Sequence, residues 1–241
     1  FGAEATVIEY SRIEGGPYLD PSIVLTALRA HKPKLLCLPN PDSPTGTVLN
    51  IEDLKKILET CEAVGTVLLL DEAYYPFYEW SAVSWTKNSR NLIVARTFAK
   101  SWGLAGLRIG YAVAHQETIA LLHKIRPMYE TSTLAIEFMT RMLDHTADVE
   151  QSVSRVMAGK KYFHEAMQTL GFKSLLTEGN FIHVAFGAQS KVVHEALSDL
   201  VLYRKSFDHP SLADYSRFSV APKVSMTKVV NLITKIMEKT S

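Results

Sequence analysis

The stretch "TVLLLDEAY", residues 66–74, decides the fold class. Its apolar run is continuous rather than alternating, and two acidic residues end it abruptly. Two similar runs, "KLLCLPN" (34–40) and "NLIVARTF" (91–98), precede and follow it along the chain. Continuous apolar strands separated by helices are typical of a parallel sheet that has helices on both faces. We therefore predict an α/β fold with a mostly parallel sheet.

Helical patterns surround the first of these strands. The segment 20–31 begins with Asp20 as N-cap and has Pro21 at the first helical position. The segment 50–65 is amphipathic, and Asn50 precedes it as N-cap. Two further strands are predicted, at 5–10 and 107–114.

The second half of the chain has a different pattern, in which helices outnumber strands. The predicted helices are 133–145, 147–171, 190–201 and 225–240. The predicted strands are 180–187 and 216–221. This α+β pattern predicts three parts: a large domain over 1–130, connecting helices over 131–171 and a smaller C-terminal α+β domain over 172–241.

Composition narrows the class of protein. The chain has 241 residues, of which 47% are hydrophobic and 21% charged, and its formal net charge is +1. This balance does not favour binding to nucleic acid or to an anionic membrane. No apolar run is long enough to span a membrane, and no signal-peptide pattern is visible. The two cysteines, Cys37 and Cys61, form no disulfide framework, so we expect a cytoplasmic protein.

Three polar segments follow the predicted strands of the first half. They are "PNPDSPTG" (39–46), "DEAY" (71–74) and "TFAK" (97–100). In open parallel sheets, ligands bind beyond the carboxyl ends of the strands. The sequence therefore predicts a binding site at this edge of the sheet.

The side chains in these segments suit an anionic ligand and a reactive amine. Thr97, Lys100 and Arg108 supply a hydroxyl and two cations, and an amine beside another cation loses its proton more readily and becomes a nucleophile. Lys100 could equally be an exposed loop lysine. Asp71 is either a turn cap or a counter-charge for a protonated ligand nitrogen. No set of His, Cys and Asp residues has metal-ligand spacing, so we expect no metal.

Together, "NPDSPTG" (40–46), "DEAY" (71–74) and "TFAKSWGLAGLRIGYAVA" (97–114) resemble the fold-type-I pyridoxal-phosphate-dependent aminotransferases of class I and II. Within that family the chain looks most like the histidinol-phosphate aminotransferases and their relatives. The resemblance runs along essentially the whole chain. It implies a homodimer that transfers an amino group between an amino acid and a keto acid or keto-phosphate, with pyridoxal 5'-phosphate as cofactor.

The resemblance also implies a role for each residue at the predicted edge. Lys100 would hold the cofactor as a covalent aldimine and would move the proton of the substrate. Asp71 would pair with the pyridine nitrogen, and Tyr74 would hydrogen-bond the phenolic oxygen. Thr97 and Arg108 would hold the phosphate.

Two arginines and one serine complete the implied site. Arg217 matches the arginine that receives the substrate carboxylate or phosphate, and Arg204 matches a second phosphate-binding arginine. Ser43 stands where the family usually has an asparagine that hydrogen-bonds the phenolic oxygen. That contact is then lost, mediated by water, or taken over by Asp42 or Asn40.

Two alternatives to an aminotransferase stay open. One is a pyridoxal-phosphate-dependent decarboxylase of a phosphorylated amino acid, of the threonine-phosphate type. The other is a non-catalytic truncated or degenerate fragment. It is suggested by Ser43 and by the match of position 1 to a point roughly a quarter to a third of the way along the chains of the family.

Overall fold

The computed structural model describes residues 4–240. In this part of the chain the strands are β1 (Ser11–Ile13), β2 (Gly16–Tyr18), β3 (Leu35–Pro39), β4 (Val67–Asp71), β5 (Leu92–Thr97), β6 (Gly110–Ala114), β7 (Lys173–Leu175), β8 (Phe181–Ala185) and β9 (Ser216–Ser219). The α-helices are α1 (Pro21–His31), α2 (Ile51–Val64), α3 (Gln116–Ile125), α4 (Thr133–Met142), α5 (Thr146–Thr169), α6 (Ser190–Leu197) and α7 (Lys223–Thr240).

A four-stranded sheet, in the order β3-β4-β5-β6, forms the first half of the molecule. β3, β4 and β5 are parallel, and β6 is antiparallel to β5. Asp71 pairs with Pro39 on one side and with Ala95 on the other. The three parallel strands therefore end at the same edge, and the predicted mostly parallel α/β sheet is confirmed.

Helices α1 and α2 cover one face of this sheet because alternate strand residues point toward them. The Asp20 side chain accepts a hydrogen bond from the Ser22 amide at 2.8 Å, and the Asn50 side chain accepts one from the Asp53 amide at 2.8 Å. Both predicted N-caps are confirmed. The shared core contains Val24, Leu28, Leu38, Leu54, Ile57, Leu68, Leu70, Leu92 and Val94.

A second sheet of three antiparallel strands, in the order β7-β8-β9, lies in the second half. It packs against α5, α6 and α7 around a core of its own. This is the predicted α+β pattern. Within residues 4–240, no helix combines the length and the apolarity that crossing a membrane requires.

The prediction of a strand at 5–10 is wrong. These residues pair with no other strand in the described part of the chain, and Val7 is 73% exposed. A short hairpin of β1 and β2 follows instead. Helix α3 and strand β7 were not predicted. The three-part domain division stays a prediction.

Helix α5 lies very close to the loop that follows β9. A Cβ atom on Gly159 would lie 2.0 Å from the carbonyl oxygen of Ala221, which is far inside van der Waals contact. The glycine therefore permits an approach that no other residue allows.

We expect Gly159→Ala to lower the free energy of unfolding by about 1–3 kcal/mol, because the added methyl group must displace backbone. This reverses the usual gain from replacing a helical glycine by alanine. Urea unfolding of the variant measures the change.

Gly15→Ala is the control, since nothing lies within 4 Å of a Cβ added there. Its free energy of unfolding should stay within about 0.5 kcal/mol of the unchanged protein. Equal unfolding midpoints for all three proteins would contradict the close approach of α5.

Candidate active site

The predicted site residues of the first half meet at the carboxyl edge of β4 and β5. Asp71 is the last residue of β4, and Tyr74 lies in the turn that follows. Thr97 ends β5, and Lys100 lies three residues further on. The Lys100 ammonium nitrogen lies 5.3 Å from the centre of the Tyr74 ring. The structure thus brings together groups from two neighbouring strand ends.

Asp71 is exposed at the end of its apolar strand. One carboxylate oxygen accepts a hydrogen bond from the Ala73 amide at 2.8 Å, so Asp71 caps the turn. Among residues 4–240, no cationic side chain forms an ion pair with it.

Thr97, Lys100 and Arg108 provide donors on the adjacent loop. The Thr97 hydroxyl oxygen accepts from the Ala99 amide at 3.0 Å. Arg108 has a left-handed backbone with φ 52° and donates to the Ala105 carbonyl at 3.4 Å. In the described part of the chain, neither Lys100 nor Arg108 forms an ion pair with an acid. Both cations are thus available to an anionic ligand.

Ser43 and Arg217 join the two halves of the molecule. The Arg217 guanidinium donates to the Ser43 hydroxyl oxygen at 3.3 Å, and it also lies 5.1 Å from the centre of the Phe181 ring. The sequence implied that both residues serve the site but did not predict that they touch.

Asp42 and Asn40, the two candidates to replace the usual asparagine, are both buried and face inward. The Asp42 carboxylate accepts from the Thr45 amide at 3.1 Å and from the Thr45 hydroxyl. The Asn40 side-chain oxygen accepts from the Leu49 amide at 2.9 Å. These acceptors hold the turn itself, which leaves Ser43 as its exposed hydroxyl on the Arg217 side.

The backbones of Arg204 and Arg217 are hydrogen-bonded to each other. The two residues exchange N–H···O bonds of 3.1 and 2.8 Å. The Arg204 side chain is exposed, donates to the Ser206 carbonyl at 3.1 Å and lies 4.4 Å from the Phe207 ring centre. Its guanidinium therefore has a different set of contacts from that of Arg217.

His183 is a buried residue that the sequence did not single out. It pairs with Arg217 across β8 and β9 and is fully buried. Burial lowers the pKa of His183 to about 4, the nearby Arg217 charge acts in the same direction, and the Pro44 carbonyl opposes both. The imidazole is therefore neutral at physiological pH and adds no charge beside Arg217. Within residues 4–240, no group of three or more His, Cys, Asp or Glu residues is placed to hold a metal.

The sequence profile of the family described as "Aminotransferase class I and II" matches residues 2–236. This protein belongs to that family. The match covers both sheets and every site residue described above, so the expected family membership is confirmed.

Two curated proteins that the chain resembles are histidinol-phosphate aminotransferases. Histidinol-phosphate aminotransferase 1 of Carboxydothermus hydrogenoformans is 30% identical over 214 residues, which are 88% of this chain and 59% of that protein. Histidinol-phosphate aminotransferase 1 of Cupriavidus pinatubonensis is 37% identical over 158 residues, which are 64% of this chain and 42% of that protein. The chain thus spans about half the length of the curated relatives it matches.

Solved structures confirm the fold. A putative histidinol-phosphate aminotransferase from Erwinia carotovora atroseptica superposes with a TM-score of 0.82 at 24% identity, covering 95% of this chain and 67% of that one. The L-threonine-O-3-phosphate decarboxylase of Porphyromonas gingivalis has a TM-score of 0.71 at 20% identity, covering 85% of this chain and 65% of that one. The chain therefore shares its fold with proteins named as an aminotransferase and as a decarboxylase.

The second residue of the "DEAY" segment, Glu72, forms a buried ion pair with Arg96 that the sequence did not predict. Glu72 is 2% exposed and accepts from Arg96 through Nε at 3.0 Å and Nη2 at 2.9 Å. It also accepts from the Ser81 hydroxyl and the Ala82 amide, each at 2.7 Å. The Arg96 guanidinium lies 3.5 Å from the Tyr75 ring centre. The only sequence signal was a second acid after an apolar strand.

This pair holds the turn that carries Asp71 and Tyr74. Burial lowers the pKa of Arg96, but hydrogen bonds with Tyr111 and Glu72 outweigh it and raise that pKa above its ordinary value. The guanidinium therefore stays charged and keeps Glu72 in place.

We expect Glu72→Ala to lower the free energy of unfolding by about 3–5 kcal/mol, because it leaves the Arg96 charge buried without its partner. Chemical unfolding monitored by circular dichroism measures this loss.

The matched control is Glu137→Ala, which removes an exposed pair with Arg141 whose side chains are 62% and 80% exposed. Its effect should be below about 1 kcal/mol. Similar losses in both variants would show that the Glu72 pair does not hold the turn.

Proposed function

We propose that the protein is a pyridoxal 5'-phosphate-dependent aminotransferase. It transfers an amino group between an amino acid and a keto acid or keto-phosphate, as the histidinol-phosphate aminotransferases among its relatives are named to do. One observation carries the proposal: the Lys100 amine lies at the sheet edge, 5.3 Å from the Tyr74 ring, without an acidic partner among residues 4–240.

The donor set at this edge fits the cofactor. A pyridoxal phosphate has an aldehyde, a basic ring nitrogen, a phenolic oxygen and a phosphate. The edge offers an amine on Lys100, a carboxylate on Asp71, a phenol on Tyr74, and a hydroxyl and a guanidinium on Thr97 and Arg108. Each group of the cofactor therefore has a chemical counterpart in the chain.

The bound cofactor supplies an electron sink for the bonds at the substrate α-carbon. Asp71 would hold a proton at the ring nitrogen through the carboxylate oxygen that does not cap the turn. Thr97 and Arg108 would bind the phosphate, and Tyr74 would donate to the phenolic oxygen. Lys100 would hold the cofactor through its amine and would move the proton at the substrate α-carbon.

Arg217 binds the carboxylate of the substrate. Its guanidinium is held between the Ser43 hydroxyl and the Phe181 ring, so little side-chain freedom is lost when the anion arrives. Arg204 binds a substrate phosphate in this proposal. Ser43 then serves Arg217 rather than the phenolic oxygen.

We also propose that the whole protein is a homodimer, that it is cytoplasmic, and that its substrates are small amino acids and keto acids. Residues 1–130 hold the cofactor, 131–171 connect, and 172–241 carry the substrate arginines. The separate hydrophobic cores of the two sheets, and the positions of Arg204 and Arg217 in the second half, support this division.

We expect Lys100→Ala to abolish covalent attachment of the cofactor and turnover while leaving the fold intact. Incubation with pyridoxal phosphate, borohydride reduction and peptide mapping locate the adduct. Lys100→Arg keeps the charge, but its guanidinium cannot form the covalent bond with the cofactor. This variant should therefore also lack the adduct and turnover. Lys87→Ala, at an exposed lysine, is the control and should keep the adduct. An adduct elsewhere, or full turnover without Lys100, would reject the proposal.

The decarboxylase alternative rests on a specific observation, the fold shared with the threonine-phosphate decarboxylase. Release of CO₂ from a phosphorylated amino acid, without formation of a keto acid, would favour it. A chain that binds no pyridoxal phosphate would favour the non-catalytic alternative.

We expect Arg204→Ala to lower kcat/KM for a phosphorylated substrate at least tenfold more than kcat/KM for a plain amino acid, because a charge-assisted contact with the phosphate is lost. Steady-state kcat/KM for both substrates measures the ratio. Arg29→Ala, on helix α1, is the control and should leave kcat/KM for both substrates unchanged. Equal losses for the two substrates would remove the phosphate role of Arg204.

A further inference from the structure

Lys160 is a buried lysine that the proposed chemistry does not use. It lies in helix α5 and is 2% exposed, while the side chain of the next residue, Lys161, is 76% exposed. The Lys160 ammonium donates to the carbonyl oxygen of Gly179 at 2.7 Å and to that of Thr177. Burying an amine is unfavourable unless such acceptors are present. These two bonds therefore tie α5 to one short stretch of chain.

That stretch, residues 177–181, is called here the clamped segment, and it contacts the turn that carries Ser43. The Glu178 amide donates to the Gly46 carbonyl at 2.8 Å. A Cβ atom on Gly46 would lie 2.4 Å from the Thr177 Cβ. The turn and the clamped segment are thus in direct backbone contact.

The clamped segment also separates the proposed cofactor and substrate groups. A Cβ on Gly179 would lie 3.0 Å from the Tyr74 ring. The Phe181 ring lies 5.3 Å from the Tyr74 ring centre in an edge-to-face arrangement, and Arg217 lies 5.1 Å from the Phe181 centre. Any shift of the segment therefore moves the surfaces on which Tyr74 and Arg217 rest.

In the described part of the chain, the turn and the clamped segment each contain a buried side-chain group without a hydrogen bond. The Asn40 side-chain nitrogen and the Thr177 hydroxyl are buried, and neither has a hydrogen-bond partner within residues 4–240. Unpaired buried groups destabilise the arrangement that buries them. The two bonds from Lys160 oppose this effect, since bonds from an ammonium group are stronger than neutral ones.

We propose that Lys160 is a positioning residue: its ammonium group fixes the clamped segment so that Tyr74 and Arg217 keep their places on either side of Phe181. The kinetic part of this inference rests on the proposed function. The structural part does not, because the segment can be monitored without turnover.

Three titratable groups face the Lys160 ammonium. Burial lowers the pKa of Lys160 to about 8, and the Glu178 charge opposes the shift. Burial lowers the pKa values of His164 and His183, and the Lys160 charge acts in the same direction on both. The Glu165 charge opposes the shift of the His164 pKa, and the Arg217 charge adds to that of the His183 pKa. Since the unfolded chain binds this proton more tightly, the free energy of unfolding should rise with pH between about 8 and 10.5. Lys160→Met should lack that rise, and Lys161→Met should keep it.

The kinetic test uses the protein loaded with pyridoxal phosphate. We expect Lys160→Met to raise KM for the amino acid about tenfold or more, because Arg217 loses its support, with a smaller change in kcat. Lys160→Arg keeps a charged donor and should restore a KM near that of the unchanged protein. Lys161→Met is the matched control, one residue away and exposed, and should leave both constants unchanged.

Hydrogen exchange of the Glu178 amide gives a readout that does not depend on turnover. Lys160→Met should speed this exchange, while exchange in β4 and β5 stays at the rate of the unchanged protein. Where Lys160→Met does not fold, Lys160→Gln, which reaches one carbonyl rather than two, is compared in the same way and should give an intermediate rate.

Unchanged Glu178 exchange together with an unchanged KM would overturn the proposal. So would faster exchange spread evenly over both sheets, since that pattern indicates global destabilisation. If the unchanged protein shows no turnover and no adduct on Lys100, the proposed function fails. In that case the hydrogen-exchange rate of the Glu178 amide tests, without any kinetic measurement, whether Lys160 fixes the clamped segment.

Discussion

The register between β4 and β5 is the constraint on which the rest of the structure depends. Because Asp71 pairs with Ala95, the turn after β4 and the loop after β5 leave the sheet at the same edge. A slip by one residue would turn every side chain of a strand to the opposite face. Leu68 and Leu70 would then leave the core beneath α1 and α2. The hydrophobic core therefore holds in place the edge that bears Lys100 and Tyr74.

Local signals explain what the sequence could predict. A helix cap such as Asp20 acts within three residues, and an apolar run such as 66–70 specifies burial by itself. The order and spacing of the segments around Ser43, Asp71 and Lys100 identified the family, and the match over residues 2–236 confirms it. These features can be recognised without knowing which strand is the neighbour of which.

The missed features depend on partners that are distant in sequence. The segment 5–10 has strand composition, but a strand also needs a neighbour, and composition does not supply one. Glu72 and Arg96 are 24 residues apart. The acceptors of Lys160 are 17 and 19 residues further along the chain. Its one local signal was its spacing of three residues from both Met157 and Phe163, which puts a charge in the apolar stripe of α5.

Arg108 combines two demands that rarely coincide at one position. Its left-handed backbone, at φ 52°, favours glycine, asparagine or aspartate and disfavours β-branched residues. Its proposed task requires a long cationic side chain, which none of these three residues has. Glycine, asparagine or aspartate would suit the backbone but would remove the cation, and lysine would keep the charge under the same backbone strain. Few substitutions at Arg108 therefore meet both demands, even though the side chain is exposed.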